Sequence, residues 1–225
     1  MSQPQMTEEQ TRDSYIAKMG EQLGRVFHAL DHDLTWMQWR WRQLRILFED
    51  KPSRVDLLNE SAPFFFYLVQ RVFYEDTLLG IARLVSGEKS AGHEVLTIRR
   101  LEKLVNDPIR PEVRALIERA KDASKFAVIY RNTLIAHRNL EQSLRTKNKS
   151  LPGVTSQQVE ASLGALQNLM DCVERHYCNA SSRAGPALGD AKELLYVLRD
   201  GIERRNERRE AWNRGENVPA PPSEI

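Results

Sequence analysis

Between its glycines and prolines this chain repeats apolar residues at intervals of three and four, with no sustained alternation at two. That spacing lines one face of a 3.6-residue helix and cannot line one face of a strand, so it predicts an all-α fold. From Thr11 to Phe48 one long helix or two short ones are expected, with Met19, Leu23, Val26, Phe27, Leu30, Leu34, Met37, Trp41, Leu44 and Phe48 on a single stripe. Trp36 and Trp39 lie off that stripe, which predicts a second covered surface. Lys51-Pro52-Ser53 ends the run, with Ser53 as N-cap of a short turn. Pro63 then opens a helix to about Val85 that is apolar nearly all round, as a central helix would be. A loop over 87–93 follows, then helices from about Thr97 to Val105, from near Pro111 through Ile135, from a Thr155 cap to about Tyr177, and from Asp190 to Asn213. The overall expectation is a bundle of five or six helices. Residues 1–10 read as a flexible start, 11–214 as one helical domain and 215–225 as a Pro-rich tail.

Composition narrows the function classes. Of 225 residues, 41% are hydrophobic and 28% charged, enough apolar material for a packed core. The 33 Lys and Arg against 31 Asp and Glu leave a net charge of +2, which excludes a polybasic coat that holds nucleic acid by charge alone. The cations are skewed, 24 Arg to 9 Lys, and Arg suits bidentate pairing with phosphate or carboxylate. The two cysteines, Cys172 and Cys178, would point about 120° apart on a helix and make a poor disulfide pair. Four spaced Cys and His ligands for structural zinc are lacking, so neither metal nor cofactor is expected. The start MSQPQMTEEQTRDS has no apolar signal core, and the uncharged run Ser61 to Gln70 is too short to span a bilayer. A reducing, cytoplasmic setting without a membrane partner is the expectation.

One segment concentrates chemistry. Tyr130-Arg131-Asn132-Thr133-Leu134-Ile135-Ala136-His137-Arg138-Asn139 puts Arg, Asn and His within seven residues at the end of a helix that otherwise looks like core. RNA cleavage without a metal needs a base for the ribose 2′-hydroxyl proton, a cation for the phosphorane charge and a polar donor to orient the phosphate. Arg131 and His137 are about 9 Å and 120° apart on an ideal helix, so the long Arg side chain must curl to share a cleft with the imidazole.

The pattern Arg131-Asn132 followed by His137 resembles the RNase motif of the HEPN superfamily. Three further stretches are similar to its abortive-infection, AbiU-type branch: Leu34 to Phe48, Asp76-Thr77-Leu78-Leu79-Gly80-Ile81-Ala82-Arg83-Leu84, and Leu96-Thr97-Ile98-Arg99-Arg100-Leu101. The likeness covers roughly residues 20 to 180 and omits the last helix. It implies an HEPN-like helical bundle paired as a homodimer, with the site in a cleft between protomers. It implies a metal-independent endoribonuclease that acts as a toxin or antiphage effector, with an antitoxin or regulatory protein as a possible partner. Arg131, Asn132 and His137 would be catalytic, and Arg138 and Asn139 would contact the RNA substrate. Toxins of the superfamily that a partner nucleotidyltransferase modifies resemble one another in a Tyr two residues after the His; Asn139 stands there in this chain. The alternative reading is a non-enzymatic helical module of the same fold that binds RNA, a nucleotide or a protein.

Two supporting residues follow from position. Asp76 shares a stripe with Val69, Val72, Leu79 and Arg83, so it is expected to face inward and to need a cation, either Arg83 or Arg131. In the Arg-rich last helix, Arg199, Arg204, Arg205, Arg208, Arg209 and Arg214 alternate with acids, which favours a self-paired solvated face over an RNA-binding one. His28 and His32 have i,i+4 spacing beside Asp31 and Asp33, only a weak metal-like pattern.

Overall fold

A computed structural model describes residues 6–49, 51–90, 92–136, 153–179 and 190–216. Among them are nine α-helices: α1 (Glu8–Met19), α2 (Glu21–Phe48), α3 (Pro52–Ser61), α4 (Pro63–Leu84), α5 (Arg99–Leu104), α6 (Arg110–Ala123), α7 (Lys125–Ala136), α8 (Ser156–Cys178) and α9 (Asp190–Asn213). The fold is an all-α bundle, as the spacing predicts. A ladder of two residues per strand, β1 (Lys89–Ser90) with β2 (His93–Glu94), interrupts the expected loop.

Three local breaks raise the helix number above six. Gly20 has φ 85°, which L side chains rarely adopt, and it separates α1 from α2. Gly24 then permits close approach, since a Cβ there would lie 2.6 Å from the backbone N and Cα of Ile16. Residues 52–61 form a full helix rather than a turn, with Pro52 in its first turn and Lys51, not Ser53, at the N-cap. The helix expected through Ile135 divides at Ser124, whose buried hydroxyl lies 2.5 Å from that of Ser162 in α8. Capping boxes start α1 at Thr7 with Gln10 and α8 at Thr155 with Gln158, so helix begins at Glu8, before the expected Thr11.

The chain groups into two compact units, Met1–Arg40 with Glu75–Gly185 and Trp41–Tyr74 with Pro186–Ile225. In the first, α6 packs on α8, α5 and α7 pack on α6, and α1 packs on α8. Its buried side chains include Leu23, Phe27, Leu30, Leu34 and Met37 of the α2 stripe, Leu78 and Ile81 of α4, and Leu166, Leu169 and Val173 of α8. Gly80 in α4 faces the Met37 side chain. In the second unit α3 packs on α9, and Ile46, Leu47, Leu58, Phe66, Ala191 and Leu195 form one apolar cluster.

Two burial expectations are corrected. The first half of α4 is not enclosed: Phe66 is 4% exposed, yet Phe64, Phe65, Tyr67, Leu68 and Val72 all reach 41% or more. Only the face that joins the cluster is covered there. Trp36 is also exposed, and stacks edge-on against half-buried Trp39 with ring centroids 5.1 Å apart. Among the described residues no helix is long and apolar enough to cross a membrane.

Candidate functional site

Ala127 and Tyr130 fix the orientation of α7 because both are buried. One residue further round the helix, Arg131 comes to the rim half-buried, and Asn132 is exposed. Opposite them the chain leaves α4 through Val85 and Ser86. That exit is tied down: Ile98 N–H donates to Leu84 O at 2.9 Å and Val95 N–H to Glu88 O at 2.9 Å. Arg100 donates to Val95 O at 2.6 Å and to Glu88 O at 3.2 Å, and pairs with Glu94. These elements, with the end of α6, enclose a groove of about 1050 Å³ that contains Ser86, Arg131 and Asn132.

The Arg131 guanidinium is oriented by neutral groups. Its Nη1 donates to Ser86 Oγ at 2.6 Å, and its Nε and Nη2 donate to Asn132 Oδ1 at 3.2 and 3.0 Å. The Ser86 hydroxyl donates its own proton to Ala82 O at 2.5 Å, which leaves lone pairs for Arg131. Three of five guanidinium N–H groups are thereby engaged, and no ion pair with a carboxylate forms among the described residues. Geometry is fixed while the positive charge stays available, which is what a developing oxyanion requires. Ser86 carries no motif; a Ser before Gly87 at the end of an apolar helix reads only as a helix stop.

Asp76 does not join this arrangement as expected, and Arg83 lines the groove but pairs with neither Asp76 nor Arg131. Asp76 is exposed and pairs with Arg40 Nε at 3.0 Å, and Arg83 Nη2 pairs with Asp33 at 2.8 Å. The buried face of α4 in this stretch runs through Thr77, Leu78, Ile81, Ala82 and Leu84. The stripe drawn through Val72 and Leu79 is the less buried one, so Asp76 and Arg83 sit together outside the core. His137, Arg138 and Asn139 lie outside the described residues.

Other chemistry-bearing groups are accounted for. His32 Nε2 accepts from Trp36 Nε1 at 2.9 Å, which occupies the lone pair a metal would need. No group of three His, Cys, Asp or Glu suited to a metal occurs among the described residues. Cys172 and Cys178 are free thiols. Burial, reinforced by Glu112, pushes Cys172 up to about 11, and burial raises Cys178 as well, so neither is a ready nucleophile. On α9 the self-pairing is partial: Arg204 meets Glu207 at 3.0 Å and Arg199 lies 3.9 Å from Glu203, Arg205 reaches Glu60 of α3 at 3.2 Å, and Arg208 and Arg209 form no ion pair among the described residues.

Among known protein families, the HEPN_AbiU2 family model, described as AbiU2, matches residues 20–197. The match extends beyond the expected 180 into the first turns of α9. No curated protein and no solved structure was found to match the chain.

Proposed function

With most of its length matched by that model, the chain belongs to the AbiU2 family of HEPN proteins, and on this premise we propose that it is a metal-independent endoribonuclease of abortive-infection type. The observation that carries the reading is the half-buried Arg131, held by Ser86 and Asn132 with its charge uncancelled in a groove. The RNA supplies its own nucleophile. His137 takes the proton of the ribose 2′-hydroxyl, the oxygen attacks the adjacent phosphorus, and the bond to the 5′-oxygen breaks, leaving 2′,3′-cyclic phosphate and 5′-hydroxyl ends. Arg131 stabilises the phosphorane. Asn132, whose Oδ1 is engaged by Arg131, keeps its amide N–H groups to orient the phosphate, and Arg138 and Asn139 hold the flanking RNA.

In-line displacement puts the attacking and departing oxygens on opposite sides of phosphorus. One imidazole serves both only poorly, and a homodimer brings a second His137 to the leaving oxygen. An end-labelled RNA incubated with EDTA tests the reading. Wild-type protein is expected to yield cyclic-phosphate ends, and His137→Ala and Arg131→Ala each to lose at least about a hundredfold in rate. Intact RNA after incubation with a confirmed dimer would remove the nuclease and leave a binding module of the same fold.

A further inference from the structure

Six cations line the groove: Arg83, Lys89, Arg99, Lys121, Lys125 and Arg131. Four of them have a carboxylate within 4.0 Å: Asp33 for Arg83, Glu94 for Lys89, Glu118 for Lys121 and Asp122 for Lys125. Both acids in the lining, Glu118 and Asp122, are thus already taken. Arg99 and Arg131 stand apart, since neither forms an ion pair among the described residues. Arg99 goes further. It is half-buried, and its Nε is wholly covered yet has no hydrogen-bond partner there. Its neighbour Arg100 has three partners, Val95 O, Glu88 O and Glu94. A covered donor without an acceptor costs stability. Arg110 also has a covered, unpartnered Nε, but the rest of its guanidinium meets Asp107 and Val105 O, whereas Arg99 has neither ion pair nor hydrogen bond among the described residues.

We infer that Arg99 is a second phosphate subsite, taking a non-reacting phosphate of the same single RNA strand whose scissile phosphate meets Arg131. This rests on the reading of the groove as an RNA site. Two uncompensated guanidinium groups in one groove fit a strand, which presents phosphates in series, better than a single small anion. Of the remaining groove cations, Arg83, Lys121 and Lys125 are offset by their own acids, and Lys89, which shares Glu94 with Arg100, is exposed and screened by water.

The test measures binding of a labelled single-stranded RNA oligomer across a range of salt. Full-length protein carrying His137→Ala serves as background, so that cleavage does not interfere. Adding Arg99→Met is expected to weaken binding about tenfold and to lower the slope of log affinity against log salt by about 0.7. Lys103→Gln removes a cation outside the groove and is the charge control, with slope unchanged. Because Arg99→Met also removes an orphaned donor, its melting temperature is expected to equal or exceed that of the background. An unchanged affinity and slope would overturn the subsite. So would a variant that melts several degrees lower or does not fold, because Arg99 would then be a structural residue. A background protein that binds no RNA at all overturns the nuclease reading itself, which separates the two failures.

Discussion

Ser86 is the residue through which the position of Arg131 can be probed without touching the groove's charge. Replacing it with Ala removes the acceptor at 2.6 Å from Nη1 and frees the guanidinium to turn about Asn132. Misplacing a transition-state donor slightly is costly, so Ser86→Ala is expected to lower RNA cleavage about tenfold or more, and Ser86→Thr to restore most of it. The melting temperature should move little, because water can replace the hydroxyl at a part-buried site. A second residue, Asp31, governs pH behaviour. Burial first, then Glu174 and Asp171 from α8, raise its carboxyl from 3.8 to about 6. Glu174 accepts from Tyr15 at 2.9 Å and Asp171 from Gln167 at 2.7 Å, so both acids are fixed near it. Below about pH 4 Asp31 is protonated in both folded and unfolded chains and costs nothing. Between about 4 and 6 the folded chain holds the extra proton, so stability falls as pH rises and then levels off. The penalty at pH 7 is about 3 kcal/mol. Asp31→Asn should therefore melt several degrees higher at pH 7 and lose the slope between 4 and 6; an equal slope in the variant would exclude Asp31 as its source.

At the scale of elements, two glycines test how tightly the helices are laid together. A methyl at Gly24 meets the backbone of Ile16 at 2.6 Å, and backbone of one helix can yield only by moving the helix. A methyl at Gly80 meets the side chain of Met37, a flexible thioether that can find another rotamer. Alanine favours helix over glycine by about 1 kcal/mol at both places. Gly24→Ala is nonetheless expected to destabilise by about 2 kcal/mol, and Gly80→Ala to stay within about 1 kcal/mol of the parent. Denaturant unfolding of the pair reads the difference directly. Equal effects would mean that α1 gives way as easily as a methionine side chain. The same scale explains the extra helices. Periodicity carries through a break that does not shift the stripe, so Gly20 and Ser124 leave little trace in the spacing of apolar residues, and only the backbone records them.

For the whole molecule, the proposed chemistry needs two protomers. The purified protein is expected to have twice the 26.0 kDa mass of one chain, and its specific activity should fall on dilution once the pair dissociates. Activity that is constant down to a monomeric species would place both proton transfers within one chain. Much of the molecule was legible in the order of its residues. Apolar intervals of three and four determine helix over strand, Thr155 and Pro63 mark helix starts, and acids of α9 pair with two of its arginines, Arg199 and Arg204. Arg131 and Asn132 were legible as a pair because a local motif survives as a string. Asp76 was not. On a helix apolar nearly all round, every stripe looks like core, and only packing against α2 and its neighbours decides which face is covered. Ser86 and Arg99 are 45 and 32 positions from Arg131 in the chain, and no periodicity links residues that far apart. The local state of each segment is written in its order of residues, because short-range sterics and hydrophobic spacing act between near neighbours. Which charges are cancelled and which are left open is settled by packing, because that depends on the acids that distant segments bring within a few ångströms.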